Sequence, residues 1–296
     1  MTGAHGLLGR TLLGLDDGVE WVASGRSQRP VEGAAYWVLD ITDGAAVAET
    51  VARVRPDWII NTAALTDVDR CEQDETAARR VNAEAVGVLA EAAARQGAGV
   101  VQLSTDYVFD GTAGPYAESD PPRPLSAYGR TKLASERALL ERLERAIVVR
   151  TLWLYGYEPG ARPNFVTWVL DALHSGRTIR VFEDQWGNPT AASDLARVLL
   201  SLCRAEARGV YHMGGATYLT RYELALELAR LFGLSPAAVQ PVATQSAGLR
   251  APRPLRSGLR TDTLCRRLRT RPLSFADGVA EMRGQAAFRR DFAHLL

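Results

Sequence analysis

The sequence predicts an α/β fold with a doubly wound parallel sheet, and three observations predict it. Short apolar runs alternate with longer helical patterns through the first half of the chain. Those runs are apolar throughout instead of alternating with polar residues, as befits strands covered on both faces. A glycine-rich segment, Thr2-Gly3-Ala4-His5-Gly6-Leu7-Leu8-Gly9, opens the first helical pattern.

Taken in order, a helix is expected over about Gly6 to Leu13, then strands at Trp21 to Ser24 and Tyr36 to Leu39. A helix follows at Ala45 to Val54, a strand at Trp58 to Ile60 and a long helix at Glu75 to Gln96. Strand Val100 to Leu103, helix Ser126 to Glu144 and strand Ala146 to Val149 complete the alternation. A buried strand should precede the glycine segment, yet only Met1 and Thr2 stand before Gly3. The central strand is therefore expected to be missing, which would expose sheet edges, and a start site assigned several residues late would account for it. Beyond Leu154 the rhythm loosens, with Gly156, Pro159, Gly160 and Pro163 as a connector. Helices are expected at Phe165 to Leu173, Ala192 to Cys203 and Tyr222 to Phe232, with short strands at Ile179 to Phe182 and Val210 to Met213. The proline- and arginine-rich stretch Arg250 to Leu259 reads as a loop. The expected division is a dinucleotide-binding domain, 1–155 plus about 186–212. A smaller interleaved α+β substrate domain takes about 156–185 plus 213–296.

The 296 residues are 47% hydrophobic and 23% charged, a composition that excludes intrinsic disorder. With 35 basic against 34 acidic residues the net charge is +1, so no global field draws the protein to nucleic acid or a membrane surface. No apolar run approaches the roughly 20 residues that span a bilayer. Cys71, Cys203 and Cys265 are scattered, with neither a disulfide framework nor a zinc spacing. A reduced, cytoplasmic protein is expected. The histidines His5, His174, His212 and His294 stand far apart in sequence, so no metal site is expected.

The motifs carry the chemistry. A turn free of Cβ atoms at Gly3 lets the backbone N–H groups of His5, Gly6, Leu7 and Leu8 approach a pyrophosphate at the positive end of the following helix. After the Trp21 to Ser24 strand, where an acid would accept the ribose 2′-hydroxyl of NAD, stands Arg26, which would pair instead with a 2′-phosphate. NADPH is accordingly preferred, with NADH the alternative. Asp40 and Ile41 are placed to meet the adenine, a helix-capping Asp40 being the competing reading. Tyr128 and Lys132, four residues apart, share one face of a helix. An ammonium near 4 Å would contribute roughly 4 kcal/mol at an effective dielectric of 20, enough to lower the phenol's pKa by up to about three units. Lys132 is the chain's one lysine among 35 basic residues, so arginine is the habitual cation and this ammonium is a specific choice. Ser104-Thr105-Asp106-Tyr107 lies at the carboxyl end of a strand, where open sheets bind ligands, and Thr105 could bond a reacting carbonyl oxygen.

Together these residues resemble the extended short-chain dehydrogenase/reductases, and within them the dTDP-4-dehydrorhamnose reductase family. The matching segments are the glycine motif, N-T-A-A at Asn61 to Ala64, S-T-D-Y-V-F-D-G from Ser104, Y-G-R-T-K from Tyr128, R-T-L-W-L-Y-G from Arg150 and R-P-L-R-S from Arg253. The resemblance implies a Rossmann-type fold, a catalytic Thr105, Tyr128 and Lys132, and NADPH across the carboxyl edge of the sheet. It implies Ala63, Ala64 and Thr151 beside the cofactor. Asp106, Tyr107, Trp153 and Arg253 would lie on the side of a nucleotide-linked 4-keto-6-deoxyhexose, with dTDP-4-dehydro-L-rhamnose the leading substrate. A sister deoxysugar 4-ketoreductase and a noncatalytic regulatory subunit of the same fold are the alternatives. A second copy of the chain is the one macromolecular partner expected.

Overall fold

Valine and isoleucine pack well on a pleated surface, and their unbroken runs become strands sealed on both sides: Val100, Val101, Ile147, Val148 and Val149 are fully buried. The computed structural model describes residues 1–15 and 18–295. β1 (Val22–Gly25), β2 (Ala35–Val38), β3 (Trp58–Asn61), β4 (Gly99–Thr105), β5 (Ala146–Thr151) and the Gly209–Met213 strand are all parallel to their sheet neighbours. Between β1 and β3 stands Thr2 alone, bridged in parallel to Ser24 on one side and Asn61 on the other. The order across the sheet is thus β2-β1-Thr2-β3-β4-β5 and then Gly209–Met213. The chain leaves Thr2 in one direction to build β1 and β2 and returns on the other side to build β3 to β5. That reversal creates the crevice at the carboxyl ends.

The expected loss of the central strand is therefore qualified: Thr2 holds its carboxyl end, while a cavity of about 570 Å³ follows toward the amino ends of β1 and β3. Met1, Trp21, Val22, Trp58, Ile59 and Leu200 are among the residues that line it. The Met1 nitrogen bonds the Val22 carbonyl there at 2.5 Å. This cavity lies in the middle of the sheet, away from Tyr128 and Thr105.

Helices cover both faces. Leu8 and Leu12 from the Leu7–Leu13 helix pack with Leu195, Leu199 and Leu202 from Ala192–Arg204 on one face. Val47 and Val51 of Gly44–Val54 and Leu89 of Ala85–Gln96 pack on the other, with Leu139 of Ala127–Arg142. A third apolar cluster, running from Tyr155 to Leu295, joins the Phe165–His174 and Arg221–Phe232 helices to the chain's last quarter.

Two expectations change. The Glu75 to Gln96 helix is divided: Glu75–Arg79 and Ala85–Gln96 flank a wide i→i+5 turn at Arg80–Glu84. Such turns often mark functional positions, and this one directs the buried Asn82 at the loop after β3. The strand expected at Tyr36 to Leu39 lies one residue earlier, at Ala35–Val38. Val239–Val242, parallel to Ile179–Phe182, and the helices Val68–Gln73, Asp262–Leu268, Phe275–Gly284 and Ala286–Asp291 were not expected from the sequence.

Candidate active site

Ser126 accepts a hydrogen bond from the Gly129 amide at 3.3 Å and so fixes the start of the Ala127–Arg142 helix. Gly129 is required by packing: a Cβ there would lie 2.2 Å from the Tyr107 carbonyl oxygen. The helix start is thereby pressed onto the turn that follows β4, which brings Tyr128 to Thr105 and Tyr107. The Tyr107 and Tyr128 rings meet edge to face at 5.6 Å.

One electrostatic expectation is corrected. Lys132 is buried and its Nζ donates to the Leu103 carbonyl at 2.5 Å. Burial lowers its pKa to about 8, while Glu136, one turn further on, raises it. Tyr128 is pushed up from its ordinary value by burial, with the Thr105 hydroxyl pulling the other way and Asp106 adding to the rise. In this cleft desolvation outweighs any help from the ammonium, so the phenol stays protonated at neutral pH. It is poised as an acid.

Thr105 Oγ1 accepts from the Tyr107 amide at 3.2 Å and donates to Asp106 Oδ1 at 3.1 Å. Asp106 is buried, and burial raises its pKa to about 6 against the hydrogen bonds from Ser257 and Thr105. Ser257 belongs to the R-P-L-R-S segment, so its hydroxyl joins the far end of the chain to Asp106 and, through it, to Thr105. Trp153 sits just beyond β5 with φ of +43°, a left-handed conformation that costs a bulky residue about 1–3 kcal/mol. A Cβ on Gly187 would come within 3.0 Å of its ring, so the indole is held by close backbone approach. The guanidinium of Arg221 lies 4.2 Å above the same ring. Arg253 is engaged elsewhere, with Nη2 donating to Asp69 at 2.8 Å and Nη1 to the Ala251 carbonyl at 3.0 Å.

At the other end of the crevice Gly3 has φ of +74°, and a Cβ on it would meet Thr62 Oγ1 at 2.5 Å and the Ala63 amide at 2.7 Å. Only glycine fits this turn. Gly9 lets the Leu7–Leu13 helix pack on it, and Gly6 caps that helix with no side chain over the first amides, those of Leu7 and Leu8. His5 bonds the Arg29 carbonyl at 2.9 Å and packs edge to face on Tyr36. Arg26 is exposed beside Asp40, whose carboxyl is held low by the Thr42 amide and further by Arg26 and Arg80. Asp40 accepts from Thr42 and closes a turn, while Asp43 is the helix cap. Ile41 is buried. The Ala63 amide donates to Asn61 at 3.3 Å, and Ala64 precedes Leu65, which Asn82 clasps through both its amide and its carbonyl. Thr151 is the register partner of Thr105 across β4 and β5. The residues present thus fit a dinucleotide along the carboxyl edge of the sheet.

Two polar chains lie behind the site. Thr2, Asn61 and Gln102 are linked across three strands at 2.5 and 2.6 Å, and Gln102 ends on the same Leu103 carbonyl that Lys132 bonds. The second links Ser104, Glu136, Arg150 and His212: Arg150 forks onto Glu136 at 2.9 and 2.6 Å, and its Nη1 meets His212 Nε2 at 3.3 Å. Burial, with Arg150 beside it, lowers the His212 pKa to about 3. Unfolded chains take up a proton at about pH 6.5 that this folded histidine refuses. His212 therefore supports stability above that pH and loses it as pH falls toward 3, by about 1.4 kcal/mol per pH unit. Asp106, raised to about 6, acts with the opposite sign. Replacing His212→Asn removes the first slope, so the stability gap between wild type and variant should narrow by about 3 kcal/mol from pH 6.5 to about pH 4. Denaturant midpoints across that range check it.

Asn82, Glu136, Arg221 and Ser257 were not among the residues expected at the site from the sequence. Ser257 lay inside a recognised segment, and Glu136 follows Lys132 at helical spacing. Arg221 carried a fainter signal, a cation at the start of a helix whose Thr220 and Glu223 form a capping box.

The family model described as RmlD substrate binding domain matches residues 1–287. The chain belongs to this family. Among RmlD relatives, a dTDP-4-dehydrorhamnose reductase of Streptomyces griseus is 42% identical over 263 residues, 86% of this chain and 82% of that protein. A dTDP-4-keto-6-deoxy-D-glucose reductase of Streptomyces niveus is 41% identical over 244 residues, 82% of this chain and 81% of that one. The crystal structure of a dTDP-4-dehydrorhamnose reductase of Bacillus anthracis in complex with NADP superposes with a TM-score of 0.83 at 30% identity, covering 95% of this chain and 96% of that one. No helix among the described residues is long and apolar enough to cross a membrane.

Proposed function

We propose that this RmlD-family protein reduces the C4 keto group of a nucleotide-linked 4-keto-6-deoxyhexose with NADPH, dTDP-4-dehydro-L-rhamnose being the leading substrate, in the cytoplasm. The observation that carries the reading is the convergence of Thr105, Tyr128 and Lys132 at the carboxyl end of β4, opposite Thr151, in a chain of this family. NADPH, when bound, supplies the hydride. Tyr128, kept protonated by burial, gives its proton to the oxygen of the reduced carbonyl, and Thr105 offers that oxygen a hydroxyl. Lys132, anchored on Leu103, sets the positive charge beneath the phenol and toward the ribose of the cofactor. Arg26 meets the 2′-phosphate, and Trp153 packs on the sugar.

Nicotinamide absorbance followed with dTDP-4-dehydro-L-rhamnose should fall on addition of the enzyme, faster with NADPH than with NADH. Arg26→Ala should narrow that preference by about tenfold by removing a charge-assisted contact. Absence of oxidation with this sugar and with dTDP-4-keto-6-deoxy-D-glucose alike would remove the reductase reading. Oxidation with the second alone would favour the sister ketoreductase, the activity named for the relative at 41% identity.

A further inference from the structure

Arg221 is the first residue of its helix, where the positive end of the macrodipole disfavours a cation. Its guanidinium is stacked 4.2 Å over Trp153 and lies 5.2 Å from the Phe165 ring. Burial lowers its pKa, with Arg253 adding to the fall, and the opposite pull of Tyr107 and Asp106 is the smaller effect. Against these costs it has a single side-chain partner: Nε donates to Gln185 Oε1 at 3.3 Å. Gln185 is in turn held by Thr244 at 3.0 Å, and Thr244 by Asp184 at 2.6 Å. No carboxylate pairs with Arg221, and its Nη1 and Nη2 bond no protein group among the described residues. Neither nitrogen is sealed from solvent, since among the described residues the buried unpartnered side-chain polar atoms are those of Trp21 and Gln285. Arg253 differs: its fork is spent on Asp69 and Ala251.

We infer that Arg221 binds the diphosphate of the nucleotide-linked substrate, with two open donors on a plane fixed by Trp153 and Gln185. A planar fork with one edge fixed by Gln185 and the other open matches two oxygens of a diphosphate. The cation that is poorly compensated in the free protein gains its counter-charge when the ligand arrives, on a plane that Trp153 and Gln185 already hold. The inference deepens the reductase reading and rests on it for the identity of the sugar, while the anion subsite stands on the geometry around Arg221.

Calorimetry on the whole chain with dTDP and with thymidine tests it. Wild type should bind dTDP at least about tenfold more tightly than thymidine, and Arg221→Gln should remove about tenfold or more of that ratio while thymidine affinity holds. Arg221→Lys should fall between them because a point charge lacks the fork. With ketosugar, the KM of Arg221→Gln should rise in parallel, with kcat at saturation within about twofold and NADPH affinity unchanged, because the glycine turn is separate. A merely structural role would weaken dTDP and thymidine together and would overturn the inference. So would a variant that keeps the wild-type ratio, or a wild type that does not distinguish the two ligands. If wild type prefers dTDP, Arg221→Gln abolishes the preference and no ketosugar is reduced, the anion site stands and the reductase reading falls.

Discussion

Tyr128→Phe should lower kcat by about 10²- to 10⁴-fold, the range that a positioned general acid contributes, while NADPH affinity stays within about twofold. The substitution removes one oxygen and leaves the ring, so the edge-to-face contact with Tyr107 survives and the helix start remains pressed on the β4 turn. The lost element is the proton donor. Because burial raises the phenol's pKa, the acid form dominates at neutral pH and reduction is the direction it serves. Oxidation of the product alcohol would require the phenolate and should be slow until the medium is strongly alkaline. Single-turnover rates with NADPH and ketosugar, set beside cofactor titrations, measure both halves. Near-native turnover by the phenylalanine variant would show that the proton comes from another group.

How much of this was legible in the sequence follows from the range over which each signal acts. Strand and helix identity rests on local runs, and β3, β4 and β5 were readable because Val and Ile crowd a few consecutive positions. The Gly3 turn and the Tyr128 and Lys132 pair were readable because their spacing is their geometry. The electrostatics were not. The reading of Tyr128 as an acidified phenol assumed that an ammonium one turn away would dominate, whereas folding buries the phenol and gives the ammonium the Leu103 carbonyl. The partners of Arg253 and Asp106 were also invisible: Asp69 lies 184 residues before Arg253, and Ser257 lies 151 residues beyond Asp106. The late helices escaped for a different reason, since Asp262–Leu268 and Ala286–Asp291 are too short to display an apolar period. That Arg26 and Asp40 come together was equally invisible along the chain; it follows from the parallel pairing of β1 with β2, which brings the carboxyl ends of the two strands side by side.

Glu136→Gln should destabilise the fold by about 3–5 kcal/mol, the loss expected when a buried ion pair is broken and one charge stays behind. Arg150 and Glu136 are almost wholly buried, with side-chain exposures of 5% and 3%, and the neutral amide leaves Arg150 facing His212, which burial already keeps uncharged. The pair contributes more by its completeness than by its net attraction, because both ions lost their water on folding. The double variant Glu136→Gln with Arg150→Met should therefore recover much of what the single variant loses. A second effect reaches the chemistry. Glu136 is the largest influence raising the Lys132 pKa against burial, so in the variant the ammonium should lose its proton below about pH 8. The alkaline limb of the kcat profile should move toward neutral pH accordingly, in the double variant as well as the single one. Denaturation curves separate the stability effect from this shift: restored stability with a displaced pH profile is the expected pairing, and restoration of both would show that Glu136 supports the fold without tuning Lys132.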